Sequence, residues 1–291
     1  QETLLKHLAE NEAKTEEIPN VEYLKMFIDA KQIEGCSERT LQYYRVTIEH
    51  MLGSIETPIR KITTDEIRGY LVDYQKVNNC SKVTVDNVRR NMSSFFSWLE
   101  EEDYILKSPM RRIHKIKTKQ PVKETITDEM IEKLRDNCTC VRDLAMIDLL
   151  YSTGIRVGEL VGLNISDIDF EERECIVFGK GDKERRVYFD AKAKLHLQEY
   201  IESRTDDNPA LFVTLDAPHA RLKISGVEIR VRELGRKLNI DKIHPHKFRR
   251  TMATRAIDKG MPIEQVQKIL GHSQICLLYT SPSPRDRSLS R

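Results

Sequence analysis

HPHKFRRTMATRAIDKGMPIEQVQKILGHSQ, residues 244–274, decides how this chain is read. Two helices fit it. Pro245 suits a first helical position, where its missing N–H costs nothing. Phe248, Met252 and Ala256 recur at four-residue spacing and make one apolar stripe. Gly260 ends that helix, Pro262 opens the next, and Ile263, Val266 and Leu270 line its inner side. Gly271 stops the second helix, and His272 follows in the turn. His246 and Arg249 are three apart in the first turn, so they project from one face. Free backbone N–H groups and the helix dipole favour an anion there. An imidazole, a guanidinium and a helix N-terminus facing one way describe a phosphate site. An isolated H-x-x-R also describes a solvated basic helix start, because four-residue patterns arise easily by chance. The rest of the chain decides between them.

Upstream, four amphipathic helices joined by short loops predict a compact bundle. The first begins near Asn20, turns Tyr23, Phe27 and Ile28 inward, and ends at Gly35. Ser37 caps the second, whose stripe is Leu41, Tyr44, Ile48 and Leu52. Thr64, Asp65 and Glu66 start the third, with Ile67, Tyr70, Leu71 and Tyr74 apolar. Ser81 caps a long fourth, with Val85, Val88, Met92, Phe95, Phe96 and Leu99 inside. Arg39, Thr40, Tyr43, Arg45, Lys82, Thr84, Arg89 and Arg90 are read as facing outward. Such residues either position a protein on a phosphate backbone or simply solvate a helix.

From Tyr104 to Lys123 there is no acid, whereas Lys107, Arg111, Arg112, Lys115, Lys117, Lys119 and Lys123 are all basic. Pro109 and Pro121 discourage helix there. An extended basic linker would track a polyanion, and nucleic acid is favoured over a merely soluble connector. Beyond it, Thr127 caps a helix with Ile131 and Leu134 inside, and residues 141–152 read as a buried helix broken by Gly154. Arg156 starts the next helix, with Glu159 one turn on. Residues 174–178 and 185–189 read as two strands of a hairpin with Lys180 near its tip. Helices resume at 192–204 and about 225–238.

The 291 residues suffice for two domains with sizeable cores. Hydrophobic residues are 39% and charged residues 32%, which predicts large wet surfaces. A net charge of +2 says little about partners, so basic character is local. The six cysteines are scattered, and Cys138 and Cys140 lack the companions of a zinc set. Reduced thiols in a cytoplasm are expected. No apolar run approaches the roughly 20 residues that cross a bilayer, and no signal peptide is visible. Gln1 heads the chain, so the native start is expected upstream.

Four boxes now stand in order: TGIRVGEL (153–160), GKGDKERRV (179–187), HPHKFRRTMATR (244–255) and ILGHSQ (269–274). In order and spacing they resemble the tyrosine recombinases, the phage-integrase family, and its Xer-like and integron-like branch most of all. The resemblance covers about residues 20–275. It implies a mainly α, α+β architecture. A four-helix, SAM-like core-binding domain would occupy 20–106 after a lead-in at 1–19. A basic linker at 107–123 would precede a mixed α/β catalytic domain at 124–275, with the small hairpin sheet of DNA breaking-rejoining enzymes.

The resemblance also implies a reaction: a tyrosine oxygen attacks a DNA phosphate, leaving a 3′-phosphotyrosyl link and a free 5′-hydroxyl, with neither metal nor cofactor. Arg156 and Arg249 then bind the non-bridging oxygens, since each guanidinium donates a fixed fork and stays charged. Lys180 protonates the 5′ leaving oxygen, in preference to Lys183. His246 acts as general base or hydrogen-bonds the phosphate, and His272 donates to a phosphate oxygen. Glu159 either orients Arg156 or is a surface acid. Duplex DNA and further copies of the chain, four on two duplexes, are the implied partners. Arg39, Thr40, Tyr43, Lys82, Arg89, Arg111, Arg112, Lys115, Lys117 and Lys119 are the candidate DNA contacts.

The end of the chain departs from the family. A nucleophilic tyrosine is expected nine residues beyond the last histidine, inside a short helix, and position 281 is Ser281. Residues 276–291, CLLYTSPSPRDRSLSR, carry no helical stripe, and Pro282 and Pro284 forbid one. Tyr279, seven residues from His272, is the remaining candidate nucleophile. The tail is expected to be non-native, from a frameshift or assembly artefact, and the helix that family members swap between neighbours is missing from it. A non-catalytic, sequence-selective DNA-binding protein is therefore the competing expectation. A type IB topoisomerase shares the chemistry but fits the small size and Xer-like boxes less well. A metal-dependent nuclease lacks clustered carboxylates beside His246 or His272.

Overall fold

The structure, a computed structural model, describes residues 18–118, 124–179, 184–240 and 242–271. The chain forms two compact units, residues 1–120 and 121–291.

In the first unit, α1 (Asn20–Ile33), α2 (Glu38–Ser54), α3 (Thr64–Val77) and α4 (Lys82–Glu101) enclose one apolar core. The caps follow from the sequence. Ser37 and Ser81 accept backbone N–H bonds from Thr40 and Thr84, satisfying donors that a helix start leaves free. The cap of α3 is Thr63, one residue before the expected start, and it forms a reciprocal capping box with Glu66. At the centre Phe27 packs edge-on against Tyr44 and Phe95, with ring centroids 5.2 Å apart in both pairs.

The basic segment after α4 is less extended than its prolines predict. Pro109 opens a 3-10 turn, Pro109–Arg112, because a first position needs no N–H. Met110 is buried in the bundle core, and Ile113 and Ile116 pack against it. Buried Asp86 on α4 accepts the Ile116 N–H at 3.0 Å. The apolar residues of this stretch thus hold residues 105–116 on the bundle, while Lys107, Arg112, Lys115 and Lys117 stay exposed.

The second unit is built on α5 (Asp128–Asp136), α6 (Val141–Thr153), α7 (Val157–Gly162), α8 (Ala191–Glu202), α9 (Ile224–Lys237), α10 (Pro245–Asp258) and α11 (Ile263–Leu270). A three-stranded antiparallel sheet, β1 (Ile168–Asp169), β2 (Glu174–Phe178) and β3 (Glu184–Tyr188), packs against them in the order β1-β2-β3. The hairpin was expected, and the short β1 was not: two residues carry no readable alternation. Cys175 pairs with Val187 and Val177 with Arg185, so Cys175, Val177 and Val187 face the core.

α6 is covered on nearly all sides, with Ile147, Leu149 and Leu150 fully buried. It also buries Asp143 and Asp148, which its apolar reading does not predict. Each is paired, as a buried charge must be: Asp143 with Arg142 and Arg230, Asp148 with Arg135 and His196. α6 ends at Gly154 in the left-handed conformation, φ +62°. No helix among the described residues is long and apolar enough to cross a membrane.

Candidate active site

Three structural ends meet in the second unit: the turn 154–156 between α6 and α7, the start of α10, and the C-terminal end of α11. Pro245 sits at the first position of α10, and Phe248 on that helix is fully buried. This anchors the turn that carries His246 and Arg249. Arg249 points inward and is 7% exposed. Its Nη1 donates to the Gly154 carbonyl at 2.7 Å, and its Nη2 donates to the Leu270 carbonyl. Burial, then repulsion from Arg156, pushes its pKa down to about 9, which still leaves it charged at neutral pH.

Arg156 stands at the N-cap of α7, half exposed. Its Nη1 donates to Glu159 Oε1 at 2.8 Å and its Nη2 to the Gly271 carbonyl at 3.1 Å. Glu159 is buried and orients Arg156, which settles the two readings left open for it. Its Oε2 also accepts the Arg156 backbone N–H at 2.8 Å, a helix-start contact that the macrodipole favours. Burial alone would raise the Glu159 pKa, but bonds from Arg185 and Arg156 overcome this and hold it below the usual value.

Arg185 is the residue that sequence reading missed. It lies on β3 at the same parity as Val187, so the two-residue period of a strand turns it toward the core face. Its Nη1 and Nη2 fork onto both Glu159 oxygens at 2.7 and 2.6 Å, and its Nε donates to the Ile269 carbonyl at 2.9 Å. Three arginines therefore grip three successive carbonyls at the end of α11: Arg185 on Ile269, Arg249 on Leu270 and Arg156 on Gly271. That end carries the negative pole of the helix. An arginine in an inward strand position was the available signal, since a buried guanidinium requires an acid partner.

His246 is exposed at the start of α10, its ring 6.3 Å from that of His244. Desolvation first, then the charges of Arg249, Arg250 and Arg156, lower its pKa against a smaller opposing effect of Glu228. These surroundings disfavour the imidazolium form. Arg156 and Arg249 each use two of their five N–H donors on the contacts above. Lys180, Lys183, His272 and Tyr279 lie outside the described residues, as do Ser281 and the rest of the tail. Among the described residues no group of three or more His, Cys, Asp or Glu side chains could hold a metal ion.

In the first unit, Arg39, Tyr43, Arg45 and Lys82 are exposed, as expected. Thr40 and Thr84 hydrogen-bond the capping serines. Arg89 was read as outward-facing and is not: its side chain is only 13% exposed and pairs with Asp86 at 2.8 Å, alongside Arg90 at 3.0 Å. An unpaired Asp86 would be costly at that depth, and the arginine one turn on is drawn in to meet it. Arg111 pairs with Glu100 at 2.5 Å. Arg112, Lys115 and Lys117 are exposed, and Lys119 lies outside the described residues.

The chain matches the phage integrase family over residues 122–280 and the phage integrase N-terminal SAM-like domain over residues 23–106. It is 31% identical over 270 residues to tyrosine recombinase XerC of Oceanobacillus iheyensis, covering 87% of this chain and 88% of that protein. It is 31% identical over 267 residues to XerC of Thermodesulfovibrio yellowstonii, with 87% and 88% covered. Among solved structures, XerA recombinase aligns with a TM-score of 0.52 at 26% identity, covering 93% of this chain and 97% of that one. A lambda integrase dimer bound to a COC′ core site shares the fold, with a TM-score of 0.77 at 19% identity and 96% and 81% covered. The chain belongs to the phage integrase family, and is an enzyme of its tyrosine recombinase class.

Proposed function

We propose that this recombinase cuts and rejoins duplex DNA through a 3′-phosphotyrosyl link, with Arg156 and Arg249 binding the non-bridging oxygens of the scissile phosphate. The observation that carries this is the convergence of the two guanidiniums on the end of α11, with His246 on the first turn of the helix that carries Arg249. Guanidiniums already fixed by backbone carbonyls need no reorganisation when charge builds on the phosphate. Loss of either would cost about 3 kcal/mol in the barrier, or about a hundredfold in rate. His246 takes the proton of the attacking hydroxyl or bonds the phosphate. Lys180 delivers a proton to the 5′ oxygen, and His272 donates to a phosphate oxygen. Arg39, Tyr43, Lys82, Arg112, Lys115, Lys117 and Lys119 supply sequence-independent phosphate contacts. Four copies act on two duplexes, in the cytoplasm.

The test has two stages. Duplexes retained by the chain are first selected from a random-sequence pool. The selected duplexes are then nicked at successive positions, so that a cleaved strand escapes and a covalent protein–DNA species accumulates. A covalent adduct abolished by Tyr279→Phe supports the full reading and names the nucleophile. Retention without any adduct refutes cleavage by this polypeptide. It would instead support a second reading, a DNA-binding protein without a nucleophile, which Ser281 at the expected tyrosine position favours.

A further inference from the structure

Arg185 takes no part in the mechanism just given, yet three observations tie it to the two arginines that do. Its fork closes on both oxygens of Glu159, the same carboxylate that holds Arg156. Its Nε holds the carbonyl of Ile269, one residue before the carbonyl that receives Arg249. The backbone at Gly271, φ +61°, leaves no room beside it: a Cβ there would lie 3.1 Å from Arg185 Cδ and 3.3 Å from its Nε. β3, α7 and α11 are thus clamped by one side chain that is only 12% exposed.

We infer that Arg185 is a positioning residue of the recombinase site. By joining Glu159 to the end of α11, it sets the separation and aim of the Arg156 and Arg249 guanidiniums, so that both address one phosphate. The inference rests on the DNA-cleaving reading above. A single buried Glu159 shared by two arginines has its negative charge divided between them. Without Arg185, the whole carboxylate is available to Arg156, which is drawn toward it and away from the phosphate. Without Arg185 the Ile269 carbonyl also loses its donor, and the end of α11 is released from β3. Lysine does not replace it, because one ammonium cannot bond both carboxylate oxygens and a carbonyl 84 residues away in fixed directions.

The test is a binding cycle that does not require cleavage. A selected duplex is prepared with one phosphate at a time replaced by an uncharged methylphosphonate. In the wild-type chain one position should cost about tenfold or more in affinity, the loss of charge-assisted hydrogen bonds. The same replacement should cost little in Arg156→Ala or Arg249→Ala, which identifies the phosphate that those residues hold. In Arg185→Ala the penalty at that position should shrink to within about threefold, although Arg185 does not touch the phosphate. In Arg185→Lys the penalty should stay equally small. A purely structural Arg185 would weaken binding to every duplex alike and leave the penalty at its wild-type size, and that result overturns the inference. Restoration of the full penalty by lysine overturns it too, since charge alone would then suffice. If Arg185→Ala does not fold, Arg185→Gln keeps much of the side chain's length, removes the fork onto Glu159 and is read by the same criterion. A wild-type chain that retains no duplex sinks the DNA reading and this inference with it. Retention with an unchanged penalty in the variants sinks this inference alone.

Discussion

Gly154 offers a test of how the turn that feeds the site is built. It closes α6 at φ +62°, and an added Cβ would meet Met252 Cε at 2.7 Å, Met252 Cβ at 3.3 Å and Leu270 Cδ2 at 3.4 Å. The methionine tip can swing aside, but Met252 Cβ is fixed to α10. Alanine pays about 1–2 kcal/mol for the left-handed backbone, and the crowding against α10 adds about 1 kcal/mol. Gly154→Ala should therefore destabilise the second unit by about 2–3 kcal/mol, a fall of about 1 M in the urea midpoint. The chain's one tryptophan, Trp98, lies on α4 in the first unit, so its fluorescence is the wrong probe. Hydrogen exchange of the α6 and α10 amides through a urea series reads the correct unit. Gly69→Ala is the control. Gly69 sits within α3 with nothing within 4 Å of its Cβ position. There the same change should stabilise by about 0.5–1 kcal/mol, and Trp98 should report it. An unshifted exchange midpoint in Gly154→Ala, with Gly69→Ala behaving as stated, would refute both the assigned backbone conformation and the close approach of α10.

Thr63→Ala removes one arm of the α3 capping box and should cost about 1 kcal/mol, seen as a lower urea midpoint in Trp98 fluorescence; Thr64→Ala should not reproduce that capping loss. Asp86 gives a pH signature. Burial would raise its pKa, but bonds from Arg89, the Ile116 N–H and Arg90 bring it to about 2 in the folded chain, from 3.8. A folded pKa below the unfolded one adds stability that is complete above the unfolded value. The first unit should therefore lose stability as pH falls from about 4 to about 2, and Asp86→Asn should flatten that limb of the profile. Phe95→Ala empties the centre of the aromatic cluster and should cost about 3–5 kcal/mol by the same fluorescence assay.

The helices were legible because their signals are local. Ser37, Ser81 and Thr127 cap where a hydroxyl precedes an apolar stripe, and Gly35, Gly154, Gly260 and Gly271 all adopt positive φ at helix ends. Arg156 and Arg249 were singled out by boxes in a fixed order, and the structure brings both guanidiniums to the end of α11. What escaped was pairing over long separations. Arg185 meets Glu159 across 26 positions, and Arg156 meets Gly271 across 115. No period in the sequence encodes such a contact. The covered arginines fared worst, since composition treats every arginine as surface: Arg89 answers Asp86, and Arg230 answers Asp143. The basic stretch after α4 misled for a related reason. Its charges suggested a free strap, while its apolar minority, Ile105, Met110, Ile113 and Ile116, had already bound it to the bundle.

The grip on α11 is made through main-chain oxygens rather than through side chains of that helix. Such acceptors do not depend on which side chain stands at position 269, so a replacement there that keeps the helix keeps the carbonyl that Arg185 holds. The side chains that make the hold are four: the guanidiniums at 156, 185 and 249, and the carboxylate at 159. The end of α11 thus contributes main chain to the junction, and α7, β3 and α10 contribute the side chains.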